Sequence, residues 1–596
     1  VMARFFTCRW RLVLCALFAL LLYLPGLGRP ALWEPDEGRY AEVAREMIVR
    51  SDYITPRDDW VRYFEKPPLV YWLNAASIKL LGANEFAVRL PAALSSMGEV
   101  VLIAALGEMM FGATAALLGA LALALSPLFF AFARFATPDP ELAFCITAAL
   151  TAFWTASRYP SLGRGGGRAW MIVAAAMLGL GTLAKGPVAL ILAGAIALLY
   201  LIVAGRISAA LEVPWLWCIV AYLAVAAPWF VLVAERNPGF LRFFFVHEHI
   251  TRYLDDTEHG WGPYFFVMVV AGGMWPWLFF IPLGIREMLT RERENGRPDG
   301  RDALWFLLIW FGLIFVFFSI PRSKLGAYIL PGIPPLALIA GYGVERLGYL
   351  TAARARRIMA IFVILNVTIA VVVAITFAFV RRRLPGVLVE DGLALVAALA
   401  LGAVIAYAWV KFGHGSVLRT VGGTAAAVGL ATVLSMVMLM KAREDAAPMF
   451  SYRELARAVV PYLDHQHCVL ASYRHYVQAL PFYTHEREAL VGYRGELAPF
   501  SHSPEARATF IPTDSKLLSL WQSPQCVVLI ANRHDLPHLA GLLDPHGVMI
   551  GCEGKKVAII SRTLTAAAST PSCGSNLLTQ LTDSPARLHL VPPGVR

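Results

Sequence analysis

The sequence predicts a polytopic α-helical membrane protein with about 13 transmembrane helices, followed by a C-terminal soluble α/β domain. Three observations predict this. Of 596 residues, 58% are hydrophobic and only 16% charged, whereas a soluble domain carries about 25% charged residues. Apolar segments recur from residue 11 to residue 440, which a single signal peptide does not explain. Residues 441–596 are long enough for a soluble domain, and their apolar runs are of strand length.

The expected spans lie near 11–28, 91–111, 113–133, 138–157, 169–184, 187–204, 212–234, 263–284, 302–320, 329–348, 358–380, 391–411 and 418–440. Lys and Arg in short loops set their direction. Arg4, Arg9 and Arg11 precede the first span and place the N-terminus in the cytoplasm. The loops with Arg158, Arg164 and Arg168, with Arg286 through Arg301, with Arg354, Arg356 and Arg357, and with Lys411 and Arg419 then also face inward. Arg381, Arg382 and Arg383 dissent, falling on the external side. An odd number of spans places the tail outside.

The domain reading is therefore a transmembrane domain over 1–440, with external loops at 29–90 and 235–262, and a periplasmic α/β domain over 441–596. In the tail, Cys468–Tyr473, Cys526–Ile530 and Val557–Ile560 read as buried strands and 453–463 as a helix. The net charge of +11 sits mainly in loops between spans, the pattern of anionic lipid headgroups rather than of nucleic acid. Of the 8 cysteines, Cys8, Cys15, Cys145 and Cys218 read as small core residues. Cys468, Cys526, Cys552 and Cys573 follow the last span and allow three disulfide pairings if the tail is exported.

Charged motifs gather in the segments read as external. Trp33-Glu34-Pro35-Asp36-Glu37-Gly38-Arg39-Tyr40 opens the first loop, with Asp36-Glu37 at the start of a helix over 37–50. Arg62-Tyr63-Phe64-Glu65-Lys66-Pro67-Pro68 follows, fixing a lysine at the depth of lipid phosphates. Asp139 lies between Pro138 and Pro140, and Lys185 precedes Gly186-Pro187. His247-Glu248-His249 and Arg252 share one segment, and Lys324 and Tyr328 follow the ninth span. Each has a purely structural reading as well: helix caps for Asp36 and Asp139, and snorkelling or anchoring for Lys66 and Lys185. HEH is not a zinc-protease spacing, though Glu65 and His247 are of the right type to hold a divalent cation such as zinc or magnesium.

Company favours the functional reading. Asp36, Lys66, Asp139, Lys185, His247, Arg252 and Lys324 all fall on one face of the predicted topology. Cations at phosphate depth can stabilise a departing lipid phosphate, whose charge grows in the transition state. A carboxylate can orient an acceptor or contact an amine on a sugar. Glycosyl transfer from a polyprenyl phosphate needs that combination. No GxGxxG or Walker loop supports a nucleotide donor, and a lipid transporter predicts repeated halves that the sequence lacks.

The strings WEPDEGRYAEVAREM, RYFEKPPLVYW, RFATPDPEL, AKGP, FFFVHEHITRY and SKLGAYILPGIPPLAL, spread over residues 33–340, resemble the membrane glycosyltransferases of the C-type fold. They are most similar to the bacterial aminoarabinose transferases that modify lipid A. The resemblance implies a C-type glycosyltransferase fold in the inner membrane. It also implies transfer of 4-amino-4-deoxy-L-arabinose from undecaprenyl phosphate to a lipid A phosphate, which lowers outer-membrane negative charge and gives polymyxin resistance. By that resemblance Asp36 is the catalytic acidic residue and Asp139 a second one, while Tyr40, Tyr63, Lys66, Lys185 and Arg252 bind the carrier phosphate or hold the site. Arg39, Lys324 and Tyr328 join them as substrate-binding candidates. No cofactor is obligatory, the chain is expected to act as a monomer, and its partners are the donor, lipid A and membrane lipids. Members of the wider superfamily use similar blocks on protein or glycan acceptors. Pro140-Glu141 after Asp139 departs from the family's apolar run, and the tail carries no matching motif.

Overall fold

A computed structural model describes residues 9–251, 260–290, 300–380, 386–412, 417–543 and 547–561. Arg252, Arg381 to Arg383 and Cys573 lie outside the described residues. The chain divides into two compact units. One comprises Val1–Leu27, Glu65–Val70 and Arg89–Arg443, the other Gly28–Phe64, Tyr71–Val88 and Glu444–Arg596. Most of the first predicted external loop therefore belongs to the same unit as the tail.

The first unit is helical. Each predicted span falls on a helix or a bent pair of helices. Among the described residues, seven helices are long and apolar enough to cross a membrane, or nine if each bent pair is one span. Some of the other predicted spans are shorter or more polar than that. Arg9–Tyr23 has 15 residues and Val188–Val203 has 16, while Asp139–Ala156 opens on Asp139 and Glu141. The bends have proline at their base, as the lost donor and ring clash require. Ala113–Ala124 turns by 64° into Pro127–Ala133, and Phe265–Gly273 turns by 94° into Trp277–Thr290, just after Pro276. The two bends meet where Ser126 Oγ lies 3.2 Å from Met274 Sδ. Small residues let helices close on one another. A Cβ on Gly341 would lie 2.2 Å from Gly119 N, so the helices Ala113–Ala124 and Ile333–Leu347 touch backbone to backbone.

The second unit starts with the helix Asp36–Arg50 and a hairpin, β1 (Arg57–Asp58) and β2 (Val61–Arg62). Six more strands form one sheet: β3 (Val469–Tyr473), β4 (Glu488–Val491), β5 (Phe510–Ile511), β6 (Val527–Asn532), β7 (Val548–Glu553) and β8 (Lys556–Ile560), in the order β5-β4-β3-β6-β8-β7. β3 is parallel to β4 and β6, and β8 is antiparallel to β6 and β7. The unbroken apolar run of β6 is explained by burial on both faces. Val527 and Leu529 pack with Trp521, Leu536 and Leu539 on one side. Val528 and Ile530 pack with Leu455, Val459 and Leu463 on the other. The three strands and the helix read from the tail sequence match β3, β6, β8 and Arg453–Gln466. A Cys468–Cys526 disulfide joins the approaches to β3 and β6.

Candidate functional site

Each unit carries its own group of candidate residues. In the helical unit, Asp139–Ala156 and Gly165–Lys185 are joined by a short turn, so the second helix returns Lys185 to the level of Asp139. Gly186, at φ +80°, ends that helix. Lys185 Nζ donates to Asp139 Oδ1 at 2.5 Å, and the same ammonium lies 4.3 Å from the centre of the Tyr328 ring. Two carriers of opposite charge and an aromatic face thus converge from three segments that the sequence separates by up to 189 positions, between 139 and 328.

The far end of these helices is a different cluster. Arg158 Nη1 donates to Asp302 Oδ2 at 3.0 Å, and Tyr200 OH donates to Asp302 Oδ1 at 2.7 Å. Eighteen residues of helix separate it from Asp139, about 27 Å at 1.5 Å per residue. Within this unit the predicted site residues Asp139, Lys185 and Tyr328 therefore share one end, and the arginine of the loop read as cytoplasmic marks the other.

Lys66 Nζ lies 3.8 Å from Glu65 Oε2 and donates to the Glu65 carbonyl at 3.2 Å. Lys324 is buried and donates to the carbonyls of Trp261, at 3.1 Å, and Pro321. Its ammonium is engaged by backbone, where the sequence suggested substrate. His247 is exposed, 3.3 Å from Glu248, with its ring stacked on Phe243. Among the described residues, no three His, Cys, Asp or Glu side chains gather as metal ligands.

In the second unit the acidic first-loop motif is mostly structural. Glu37 and Glu42 are fully buried and Glu46 is 2% exposed. Glu37 accepts from Trp33 N at 3.0 Å, and Glu42 takes a two-pronged bond from Arg45 at 2.6 and 2.7 Å. Glu34 accepts the backbone N–H groups of Gln478 and Ala479 at 3.0 and 2.7 Å. Asp36 differs: its side chain is 40% exposed, 3.5 Å from Arg39. It is the carboxylate of the helix Asp36–Arg50 that remains open to a ligand. Its neighbour Pro35 at the N-cap position makes no side-chain cap. The helix is buried over Glu37–Met47.

Arg39 ties the start of this helix to the tail. Its Nη2 lies 2.6 Å from Glu496 Oε2, and its guanidinium stands 5.8 Å from the Tyr63 ring. Tyr40 packs against Tyr71 at 5.8 Å, and both Tyr40 and Tyr63 are buried. No motif marks Glu496, which reaches Arg39 only through the fold. Glu141, two residues from Asp139, is buried.

Residues 65–232 match the family model described as dolichyl-phosphate-mannose-protein mannosyltransferase. Over 400 residues the chain is 34% identical to undecaprenyl phosphate-alpha-4-amino-4-deoxy-L-arabinose arabinosyl transferase 1 of Pseudomonas fluorescens, covering 66% of this chain and 70% of that one. A Proteus mirabilis transferase bearing the same name with the number 2 is 35% identical over 340 residues, 56% of this chain and 59% of that one. Among solved structures, ArnT from Cupriavidus metallidurans bound to undecaprenyl phosphate superposes with a TM-score of 0.79 at 27% identity, covering 94% of this chain and 100% of that chain. Its apo form superposes with a TM-score of 0.77, covering 93% and 98%.

Proposed function

The chain belongs to the family of undecaprenyl phosphate-α-4-amino-4-deoxy-L-arabinose arabinosyl transferases, and from that membership we propose that it moves 4-amino-4-deoxy-L-arabinose from undecaprenyl phosphate onto a phosphate of lipid A. The family has the C-type glycosyltransferase fold, and the chain is a multi-pass inner-membrane glycosyltransferase. The observation that carries the reading is the superposition, over 94% of the chain, on a protein crystallised with undecaprenyl phosphate.

The chemistry suits the side chains. An acceptor phosphate oxygen forms a bond to the sugar C1 as the bond from C1 to the carrier phosphate oxygen breaks. The carrier leaves with the electron pair and one more negative charge. Preplaced cations stabilise that charge best where water is excluded. Lys66 and Lys185 are the candidates for it. The acceptor phosphate is already ionised, and Asp36 has no proton to remove. Its role is to orient the sugar through the amine, with Arg39 holding the carboxylate in place. Asp139 sets the position of Lys185.

The N-terminus lies in the cytoplasm and the second unit in the periplasm. The arginine-rich loops support this, as does the Cys468–Cys526 disulfide, a bond that persists in oxidising compartments. Lowering the negative charge of lipid A would confer resistance to cationic peptides.

The test is direct. Purified protein receives undecaprenyl-phosphate aminoarabinose and lipid A, and products are weighed. One aminopentose added to lipid A is expected. The match of 65–232 to a protein-mannosyltransferase model favours a peptide as the alternative acceptor, and transfer to peptide with no gain on lipid A overturns the proposal. A reporter after residue 445 should be labelled from outside intact cells with a permeable outer membrane. Labelling only after lysis overturns the topology.

A further inference from the structure

Fourteen residues along its own helix from Asp36, about 21 Å at 1.5 Å per residue, Arg50 opens on a second cluster that the transfer reaction leaves unused. A cavity of about 100 Å³ is lined by Arg45, Glu46, Val49, Arg50, Trp60, His485, Glu486 and Arg487. The Trp60 ring carries two guanidiniums, Arg50 at 4.1 Å and Arg487 at 5.5 Å from its centre. Contacts of this kind fix a cation's plane without using its hydrogen-bond donors.

Part of that donor capacity is left over. Arg50 Nε is buried without a hydrogen-bond partner among the described residues, and its nearest carboxylate oxygen, on Glu46, is 3.7 Å away. Arg487 is held from behind, donating to Thr509 Oγ1 from Nε at 2.8 Å and to the Glu505 carbonyl from Nη2 at 2.7 Å. Arg45, by contrast, is saturated by Glu42. A basic residue at a helix C-terminus answers the helix dipole, which explains Arg50 by itself. It does not explain Arg487, which comes from beside β4.

The turn that delivers Trp60 is strained. Asp58 pairs with Val61, so Asp59 and Trp60 form a two-residue hairpin loop, and their φ angles are +48° and +69°. Such loops favour Asn-Gly, and a bulky residue there is strained. Glu46 secures it by accepting Trp60 N–H at 2.7 Å. Strain of this kind persists where surroundings impose it, and it gathers at ligand sites.

We propose that this cavity is an anion site that takes one phosphate monoester on a glycosyl headgroup, gripped by the Arg50 and Arg487 guanidiniums. Guanidinium N–H groups match phosphate oxygens, Arg487 offering the end that Thr509 and Glu505 leave open, and the size admits a single such group rather than a lipid. The identity of its bearer, the phosphorylated acceptor glycolipid, rests on the proposed function; the phosphate chemistry does not.

The test uses the full chain in neutral-lipid nanodiscs and equilibrium dialysis with three probes: inorganic phosphate, glucosamine 1-phosphate and glucosamine. Arg50→Gln/Arg487→Gln should weaken one class of glucosamine 1-phosphate site at least tenfold. Arg50→Lys/Arg487→Lys, which keeps charge but not the fork, should weaken it less and guards against a folding failure. Asp36→Asn, in which transfer is expected to fail, should bind as the wild type does, so the site is judged apart from the reaction. Tighter binding of the glycosyl phosphate than of inorganic phosphate supports a headgroup, and equal binding supports free phosphate as the source. Unchanged binding in both double variants, or glucosamine binding as well as its phosphate, overturns the proposal.

Discussion

The ammonium of Lys185 is shared between Asp139, at 2.5 Å, and the face of Tyr328, 4.3 Å from its ring centre. Only 14% of the Lys185 side chain and 7% of the Asp139 side chain remain exposed. An enclosed pair of this kind adds little net stability, because desolvation offsets its attraction, while breaking it strands a charge. We predict that Lys185→Met lowers the thermal midpoint and abolishes transfer, with a stability loss of about 3–5 kcal/mol. The double variant Lys185→Met/Asp139→Asn should regain most of the stability and none of the activity. Recovery of activity in the double variant would show that the pair is only a strut.

Asp36 makes the opposite prediction. Its carboxylate is 40% exposed and weakly paired with Arg39, so Asp36→Asn should change stability by no more than about 0.5 kcal/mol. Transfer should fall by about 10²–10⁴-fold, the range for a positioned polar catalyst. Glu42→Gln is its internal control: it unpairs the buried Arg45 and should lower the thermal midpoint first. Product mass and thermal unfolding on the same samples separate the two. An Asp36→Asn protein with wild-type turnover would remove the assignment.

The sequence made the membrane class legible because hydropathy is a local property, and so were the sheet strands β3, β6 and β8, whose apolar runs are dense enough to stand out. The site was legible to the extent that its residues sit in short motifs: Asp36, Lys66, Asp139 and Lys185 each stand beside proline or glycine. What could not be read was pairing. Nothing near Arg39 points to Glu496, 457 positions away by 496 less 39, and nothing near Lys324 announces that its ammonium turns to carbonyls. Nor does composition reveal that four of the acidic residues around Asp36 are held by hydrogen bonds within the fold, since a buried and an exposed carboxylate have the same letter.

The second unit should lose stability as pH rises. Burial lifts the Glu488 carboxyl to about 8, against hydrogen bonds from Ser472 and Val477 N that lower it. Burial also raises Asp58 and Asp59 well above the usual carboxylate range, Asp59 further because of Glu488. An unfolded glutamate titrates near about 4.3. A carboxyl raised in the fold contributes stability that is fully present below the unfolded value and is lost as pH climbs through the folded one. The window for Glu488 is therefore about 4.3 to 8. Thermal midpoints of the full chain in detergent at pH 5, 7 and 9 should fall in that order, and Glu488→Gln should flatten the slope. A wild-type midpoint that does not move between pH 5 and 9 would count against these carboxyls being held neutral.

Gly38 offers a test of how the motif helix is seated. A Cβ there would lie 2.5 Å from Ala479 N and 2.7 Å from Ala479 Cα, backbone atoms that cannot swing aside. Their position is fixed in turn by Glu34, which accepts the N–H of Ala479 and of Gln478. Gly38→Ala must therefore push the helix Asp36–Arg50 off the 478–479 backbone and draw Arg39 away from Glu496. Overpacking of this kind costs about 1–3 kcal/mol. Turnover should drop more than that loss of stability accounts for, because Asp36 and Arg39 move with the helix, and the drop should persist at temperatures well below the new midpoint. Glu34→Ala/Gly38→Ala, which frees the 478–479 segment to retreat, should regain part of the turnover if seating is the cause. A Gly38→Ala protein with an unchanged midpoint and unchanged turnover would mean that the helix and the tail segment are not in the close register described.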